Sequence, residues 1–146
     1  MTEDQTPKHK AVVCDLDGCL AIRGDRSPFD ASKCDLLDKP NVPVVECVRA
    51  MAFAGYDIIF MSAREEKDRA PTERFIQNVL PELTDWLLFM RTTGDYRKDA
   101  IVKWELWEQY VLPNYDVLYA LDDRLQVIQA LREHGVTVFD VAGNTF

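Results

Sequence analysis

Residues 10–18 read KAVVCDLDG: the apolar run Ala11–Cys14, then Asp15 and Asp17 two positions apart, with Gly18 behind them. A short apolar run without alternation suits a strand buried on both faces. Both acids then stand at its exit, and Gly18 lets the chain turn so that they aim into one pocket. Outward from this run, strand and helix signals alternate. Val44, Val48, Met51 and Ala52 recur at helical spacing until Gly55, and YDIIFM (56–61) is the next strand, ending at Ser62. Pro71 opens a short helix to Val79, and WLLFM (86–90) is the third strand. From Lys98, the residues Ala100, Trp104, Trp107 and Val111 mark one apolar helical face, closed by Pro113 before a fourth strand at 116–121. Leu125, Ile128 and Leu131 mark another helix, and 136–141 is the fifth strand. The alternation predicts an α/β fold, a mainly parallel five-stranded sheet with helices on both faces. Ligands in such sheets collect at the carboxyl ends of the strands. The expected organisation is a flexible tail over 1–9 and a single domain over 10–146.

Composition agrees with one domain: 146 residues, 47% hydrophobic and 29% charged, are enough for one core. Seven Pro and six Gly are too few for a low-complexity chain, and no apolar run approaches the roughly 18 residues of a membrane span. The opening MTEDQTPKHK lacks the apolar segment of a secretory signal, so a cytoplasmic setting with the four cysteines as thiols is expected. Those cysteines, at 14, 19, 34 and 47, form no C-x-x-C, and the only histidines are at 9 and 134, which argues against zinc. The net charge of −8 argues against a broad basic surface along a nucleic acid, though not against gripping one phosphate locally. Three strand tips carry chemistry: Asp15 and Asp17 after the first, Ser62 after the second, Asp122 and Asp123 after the fourth. A lone aspartate there is usually a turn former or helix cap. Several carboxylates converging from two strands tolerate one another best around a cation, and oxygen ligands suit a hard ion such as Mg²⁺.

DLDGCLA at 15–21, Ser62, a helical lysine and LDDR at 121–124 resemble the haloacid dehalogenase superfamily of phosphohydrolases. GDRSPFD at 24–30, SARE at 62–65, GDYRKDAIVK at 94–103 and LDDRLQV at 121–127 resemble, more closely, the 3′-phosphatase domain of phage-type polynucleotide kinase-phosphatase. The resemblance runs over 10–146 and implies a Rossmann-like haloacid dehalogenase fold with a minimal cap. It implies Asp15 as the nucleophile that becomes an aspartyl phosphate, and Asp17 as general acid and later base. Protonation of Asp17 at neutral pH is expected to come from the negative charge of Asp15 and the incoming phosphate. As Mg²⁺ ligands the resemblance implies Asp15, the backbone carbonyl of Asp17 and Asp123, with Asp122 in support or sharing the task. The resemblance places Ser62 and Lys103 on the phosphate, Arg26 and Arg64 among the catalytic groups, and Arg91 on the substrate. Asp99 is expected to pair with Lys103, four residues on, near the pocket. Arg97 and Lys98 are candidates for a flanking phosphate, with a solvated helix end as the competing reading. Trp86, Trp104 and Trp107 read as core rather than base-stacking platforms. Cys19 departs from the usual Thr; the position lends a backbone N–H to the phosphate site, so no loss is expected.

Cap-bearing members of the superfamily act on small metabolites. Here only residues 18–40 and 91–97 are left to make a flap and a loop. An open cleft favours a 3′-phosphorylated DNA or RNA end, with 2′,3′-cyclic phosphates left open. No G-x-x-x-x-G-K-[ST] occurs in the chain, so a 5′-kinase, like a ligase, is expected as a separate partner. The competing readings are a phosphatase of mononucleotides or other small phosphomonoesters and a catalytically inactive binding module.

Overall fold

The computed structural model describes residues 7–142. In chain order the elements are β1 (His9–Asp15), β2 (Ala21–Ile22), α1 (Cys34–Leu37), β3 (Lys39–Pro40), α2 (Val42–Phe53), β4 (Asp57–Glu65), α3 (Arg69–Val79), β5 (Leu87–Arg91), α4 (Asp99–Leu106), β6 (Tyr115–Asp122), α5 (Leu125–Glu133) and β7 (Val138–Asp140). Five strands form one parallel sheet in the order β5-β4-β1-β6-β7. The chain runs outward from β1 to β4 and β5, then returns to β1's other side with β6. That reversal beside β1 opens a crevice at the strands' carboxyl ends, where Asp15 and Asp122 stand.

The period-two alternation of buried strands divides the core into two layers. Val12, Cys14, Ile58 and Phe60 face one side and pack with Val44, Val48, Phe75 and Ile76 of α2 and α3. Ala11, Val13, Ile59 and Met61 face the other, against Trp107, Ile128 and Leu131. A fully buried side chain such as Phe60 or Ile128 contributes roughly 1.5–3 kcal/mol over its exposed state. The three tryptophans belong to these layers, as expected. Trp107 is buried, Trp86 meets Phe60 edge-on at 5.9 Å, and Trp104 stacks on His134 at 3.6 Å. All four cysteines are free thiols. No helix among the described residues is long and apolar enough to cross a membrane.

Four local differences from expectation stand out. The predicted tail over 1–9 falls mostly outside the described residues, and β1 already begins at His9. Residues 18–40, expected as irregular, contain an antiparallel ribbon pairing Ala21 with Pro40 and Ile22 with Lys39, plus the short α1. These pieces are too short for propensity or periodicity to register. β4 runs past Ser62 to Glu65, its register against β5 shifting between the two. Finally, the helix expected from Lys98 to Val111 is α4 continued by a π-helical turn, Trp107–Val111.

Candidate active site

Asp15 ends β1, and Asp122 ends the adjacent β6, so parallel pairing brings both carboxylates to one edge of the sheet. Asp123 follows, and one oxygen from each of the three lies within 4.8 Å of the others. Gly18 makes this crowding feasible. It sits at φ +74°, and a Cβ there would fall 2.1 Å from Asp123 Oδ2, so only glycine fits. Lys103 reaches in from α4 and is buried; its Nζ donates to Asp15 Oδ1 at 2.7 Å and to Asp122 Oδ2 at 2.9 Å. Asp122 Oδ1 accepts the N–H groups of Asp123 (2.8 Å) and Arg124 (3.0 Å). Asp122 therefore fixes Lys103 and the start of α5 together.

Three carboxylates against one ammonium leave the cluster over-supplied with negative charge. Burial, followed by Asp122, pushes the Asp15 carboxyl well above its ordinary range, although Lys103 opposes the shift. Burial, together with the charge of Asp122, likewise raises Asp123 against the pull of Asp15's hydrogen bond and Lys103. Lys103 is driven the other way: burial alone would lower its pKa, but Asp122 and Asp15 hold it firmly charged. A compact set of hard oxygen donors with surplus negative charge fits a divalent cation of the Mg²⁺ type.

A second constellation faces Asp17. Arg64 grips it with a bidentate fork, Nε to Oδ2 at 2.9 Å and Nη2 to Oδ1 at 2.8 Å. Arg26 Nη2 adds a bond to the same Oδ1 at 3.0 Å. Behind them lies Asp38, whose side chain is 0% exposed; it accepts from Arg26 Nε and Nη2, both at 2.8 Å, from Arg64 Nη2 at 3.2 Å and from the Gly24 N–H at 3.1 Å. Thr72 of α3 accepts from Arg64 Nη1 at 3.1 Å while donating to the Asp68 carbonyl. In this arrangement the arginines, rather than the charge of Asp15, dominate the surroundings of the Asp17 carboxyl. Burial raises its pKa, but the hydrogen bonds and charge of Arg64, then Arg26, outweigh that and hold the carboxyl below its ordinary range. The Asp17 side chain also turns away from the acidic cluster, so only its backbone remains for the expected metal contact. Ser62 is buried, and its Oγ accepts the Arg64 N–H at 3.1 Å, leaving its O–H as a donor.

Other expected contacts are rearranged. Asp99 pairs with Arg91 and Arg124 rather than with Lys103. Arg91 is buried at the tip of β5. It donates to the carbonyls of Ala63 (2.8 Å), Asp95 (3.0 Å) and Arg97 (2.6 Å) as well as to Asp99, so it organises the loop after β5. Arg97 is exposed and bound to Asp95 and Glu105. Lys98 is exposed and leads into α4. The Cys19 N–H donates to the Leu16 carbonyl at 3.1 Å inside the turn, so it closes the turn rather than presenting itself to a ligand. Asp38 and Thr72 escaped the sequence reading. The signal for Asp38 was charge balance, since two arginines beside one aspartate require another anion.

A buried aspartate at the tip of the central strand, a buried lysine reaching it from α4 and two acids at the end of the neighbouring strand fit a phosphatase of the haloacid dehalogenase type. The fold recurs in a class C acid phosphatase from Bacillus anthracis, at a TM-score of 0.54 and 16% identity over 96% of this chain and 70% of that one. The chain belongs to the family of the polynucleotide kinase PNKP phosphatase domain, whose model matches residues 9–146. A protein of Autographa californica nuclear polyhedrosis virus, described as a bifunctional polynucleotide kinase/RNA ligase, is 33% identical over 90% of this chain but only 19% of its own length. Two solved structures of a Pnkp1/Rnl/Hen1 complex, one titled an RNA repair complex, contain chains 40% and 39% identical, with TM-scores of 0.89 and 0.87. They are matched over 99% and 100% of this chain, which spans about half of each, 46% and 50%.

Proposed function

We propose that the domain removes the phosphate from 3′-phosphorylated polynucleotide ends, with Mg²⁺ bound by Asp15, Asp123 and the backbone carbonyl of Asp17. The observation that carries this reading is the slight cover over the site. Between β1 and α2 lie only a ribbon of two residues per strand and the four-residue α1, and between β5 and α4 only the loop 92–98, so the cleft admits the end of a chain. RNA ends come first among the substrates, and a separate kinase or ligase first among the partners, because the similar proteins carry RNA ligase and RNA repair in their names. The cytoplasmic setting expected from the sequence suits that role.

Asp15 attacks phosphorus; an acyl–phosphate bond forms and the bond to the sugar oxygen breaks. The leaving oxygen takes a proton from Asp17, which returns as base for the water that cleaves the acyl phosphate. Asp17 is ionised at rest, so it must gain its proton as substrate arrives. The phosphate dianion brings negative charge beside it and competes for the forks of Arg64 and Arg26, both of which favour protonation. Lys103 and the Ser62 hydroxyl face the charge on the transferred oxygens. When bound, the cation neutralises the phosphate that a weak carboxylate nucleophile must approach. The test is phosphate release from a 3′-phosphoryl oligoribonucleotide, with and without Mg²⁺, beside its deoxy counterpart and matched mononucleotides. The expected result is Mg²⁺-dependent release with preference for the oligonucleotides. Equal or better use of mononucleotides favours the small-phosphomonoester reading.

A further inference from the structure

Two aromatic rings stand almost bare on the loops beside the cleft: Phe29 is 89% exposed and Tyr96 is 85% exposed, the highest values among the large hydrophobic residues described. They are held in the same way. Arg26 Nη1 donates to the carbonyls of Ser27 (3.2 Å) and Asp30 (3.1 Å), which bracket Phe29. Arg91 Nη1 donates to the carbonyls of Asp95 and Arg97, which bracket Tyr96. Each guanidinium is tied on its other side to the site: Arg26 bonds Asp17, and Arg91 reaches through Asp99 and Arg124 to the β6 tip that bears Asp122. β1 and β5 are two strand spacings apart in the sheet, about 10 Å, and being parallel they send both loops out from the same edge, the one that carries Asp15. The sequence around Tyr96 adds cationic Lys98 at an exposed position, in a chain that is otherwise strongly acidic.

Resting on the reading of the site as a polynucleotide 3′-phosphatase, we propose that Phe29 stacks on the terminal base of the substrate strand and Tyr96 on the base before it. Phe29's loop is braced by the arginine that holds Asp17, the group that protonates the terminal sugar oxygen, so Phe29 is nearest the terminal nucleoside. Every base offers a π-face, so such platforms take a single-stranded end without reading its sequence. An unpaired 3′ end is therefore preferred over a blunt duplex end, whose terminal base is already stacked.

The test uses 3′-phosphoryl oligonucleotides that are intact, abasic at the last position, or abasic at the position before it. Wild-type kcat/KM falls about tenfold with each missing base, the range of one base–aromatic stack. Phe29→Ala is indifferent to the last base and Tyr96→Ala to the one before, while Phe29→Tyr and Tyr96→Phe keep the wild-type pattern. Stacking is also read directly: 2-aminopurine at the last position is quenched on binding to Asp15→Asn and not to Asp15→Asn with Phe29→Ala. A wild-type enzyme that uses intact and abasic ends equally well overturns the stacking and leaves the phosphatase reading intact. One that spares every 3′-phosphoryl oligonucleotide yet hydrolyses small phosphomonoesters overturns the reading itself, and the stacking with it.

Discussion

The two halves of the site are built on opposite electrostatic plans. Around Asp15, three carboxylates meet one ammonium, and the groups come from β1, α4 and the end of β6, the packed centre of the fold. Around Asp17, two carboxylates meet two guanidinium groups, and half of the set, Arg26 and Asp38, comes from the flap that carries the small ribbon. The first half carries surplus negative charge. The second is internally balanced, and on the proposed reading substrate disturbs it before Asp17 takes a proton. Position is thus set by the rigid core, while the proton affinity of Asp17 is set jointly by Arg64 of β4 and, after it, by Arg26 of the flap.

The largest effect should follow from touching the nucleophile. Asp15→Asn keeps the volume and loses the carboxylate, so phosphate release should fall on the order of 10⁴-fold or more, with circular dichroism unchanged. Retained activity above a few per cent would remove Asp15 from that role and with it the division between the halves.

Lys103→Met tests whether the first half is over-charged. Removing one partner of a buried ion pair costs about 3–5 kcal/mol, because the other charges are left uncompensated. The pH dependence has a defined sign. Asp15 is raised above its ordinary 3.8 by burial and by Asp122, and the loss of Lys103 raises it further. A raised acid contributes stability that is full below 3.8 and is lost as pH climbs through the folded value. The variant's deficit in urea melts should therefore be smallest in acid, grow toward neutrality and shrink on adding Mg²⁺. A deficit that ignores both pH and Mg²⁺ would mean that Lys103 acts by packing alone.

Asp38→Asn tests the balanced half. It removes charge from a fully buried anion shared by Arg26 and Arg64, so both forks lose their backing against Asp17. We expect kcat to fall about ten- to a hundredfold, the worth of a charge-assisted bond of roughly 1.5–3 kcal/mol. The acidic limb of the pH–rate profile should shift, while the Mg²⁺ concentration for half-activity stays put. A changed Mg²⁺ requirement would show the halves to be one unit.

How much of this was legible depended on sequence distance. The five strands and their order along the chain followed from apolar runs such as KAVVCDL, since a sheet buried on both faces leaves that mark locally. Asp15, Asp122 and Asp123 were legible because they stand directly at strand exits. Asp38 was not, because its meaning depends on Arg64, 26 residues away, and on a ribbon of two residues per strand. The Asp99–Lys103 expectation failed similarly: helical spacing permits that pair, but the tertiary pull of Asp15 and Asp122 on Lys103 is stronger. The sequence reading took the proton affinity of Asp17 from Asp15 and the incoming phosphate, whereas the arginines that hold its charge before substrate arrives come from 9 and 47 residues away.

The smallest expected effect separates two neighbours in the loop after β5. Arg97 and Lys98 both read as contacts to a flanking phosphate, but their surroundings differ. Arg97 donates to both carboxylates that flank it, at 2.8 Å to Asp95 and 2.6 Å to Glu105, so a phosphate would have to displace an existing partner. Lys98 has no such ion pair among the described residues and remains exposed at the start of α4. Each phosphate neutralised by a cation steepens the salt dependence of binding by about one counterion, slightly less for a single strand. Lys98→Ala should weaken binding of a 3′-phosphoryl oligonucleotide about threefold and flatten the slope of log Kd against log salt by roughly 0.7. Arg97→Ala should change the slope little, since it removes one cation that is already neutralised by two acids. Measured at several salt concentrations with an Asp15→Asn background to prevent turnover, the pair gives a direct reading. Equal slopes for both variants would place the flanking phosphate elsewhere, and a larger change for Arg97 would mean that the substrate breaks its ion pairs.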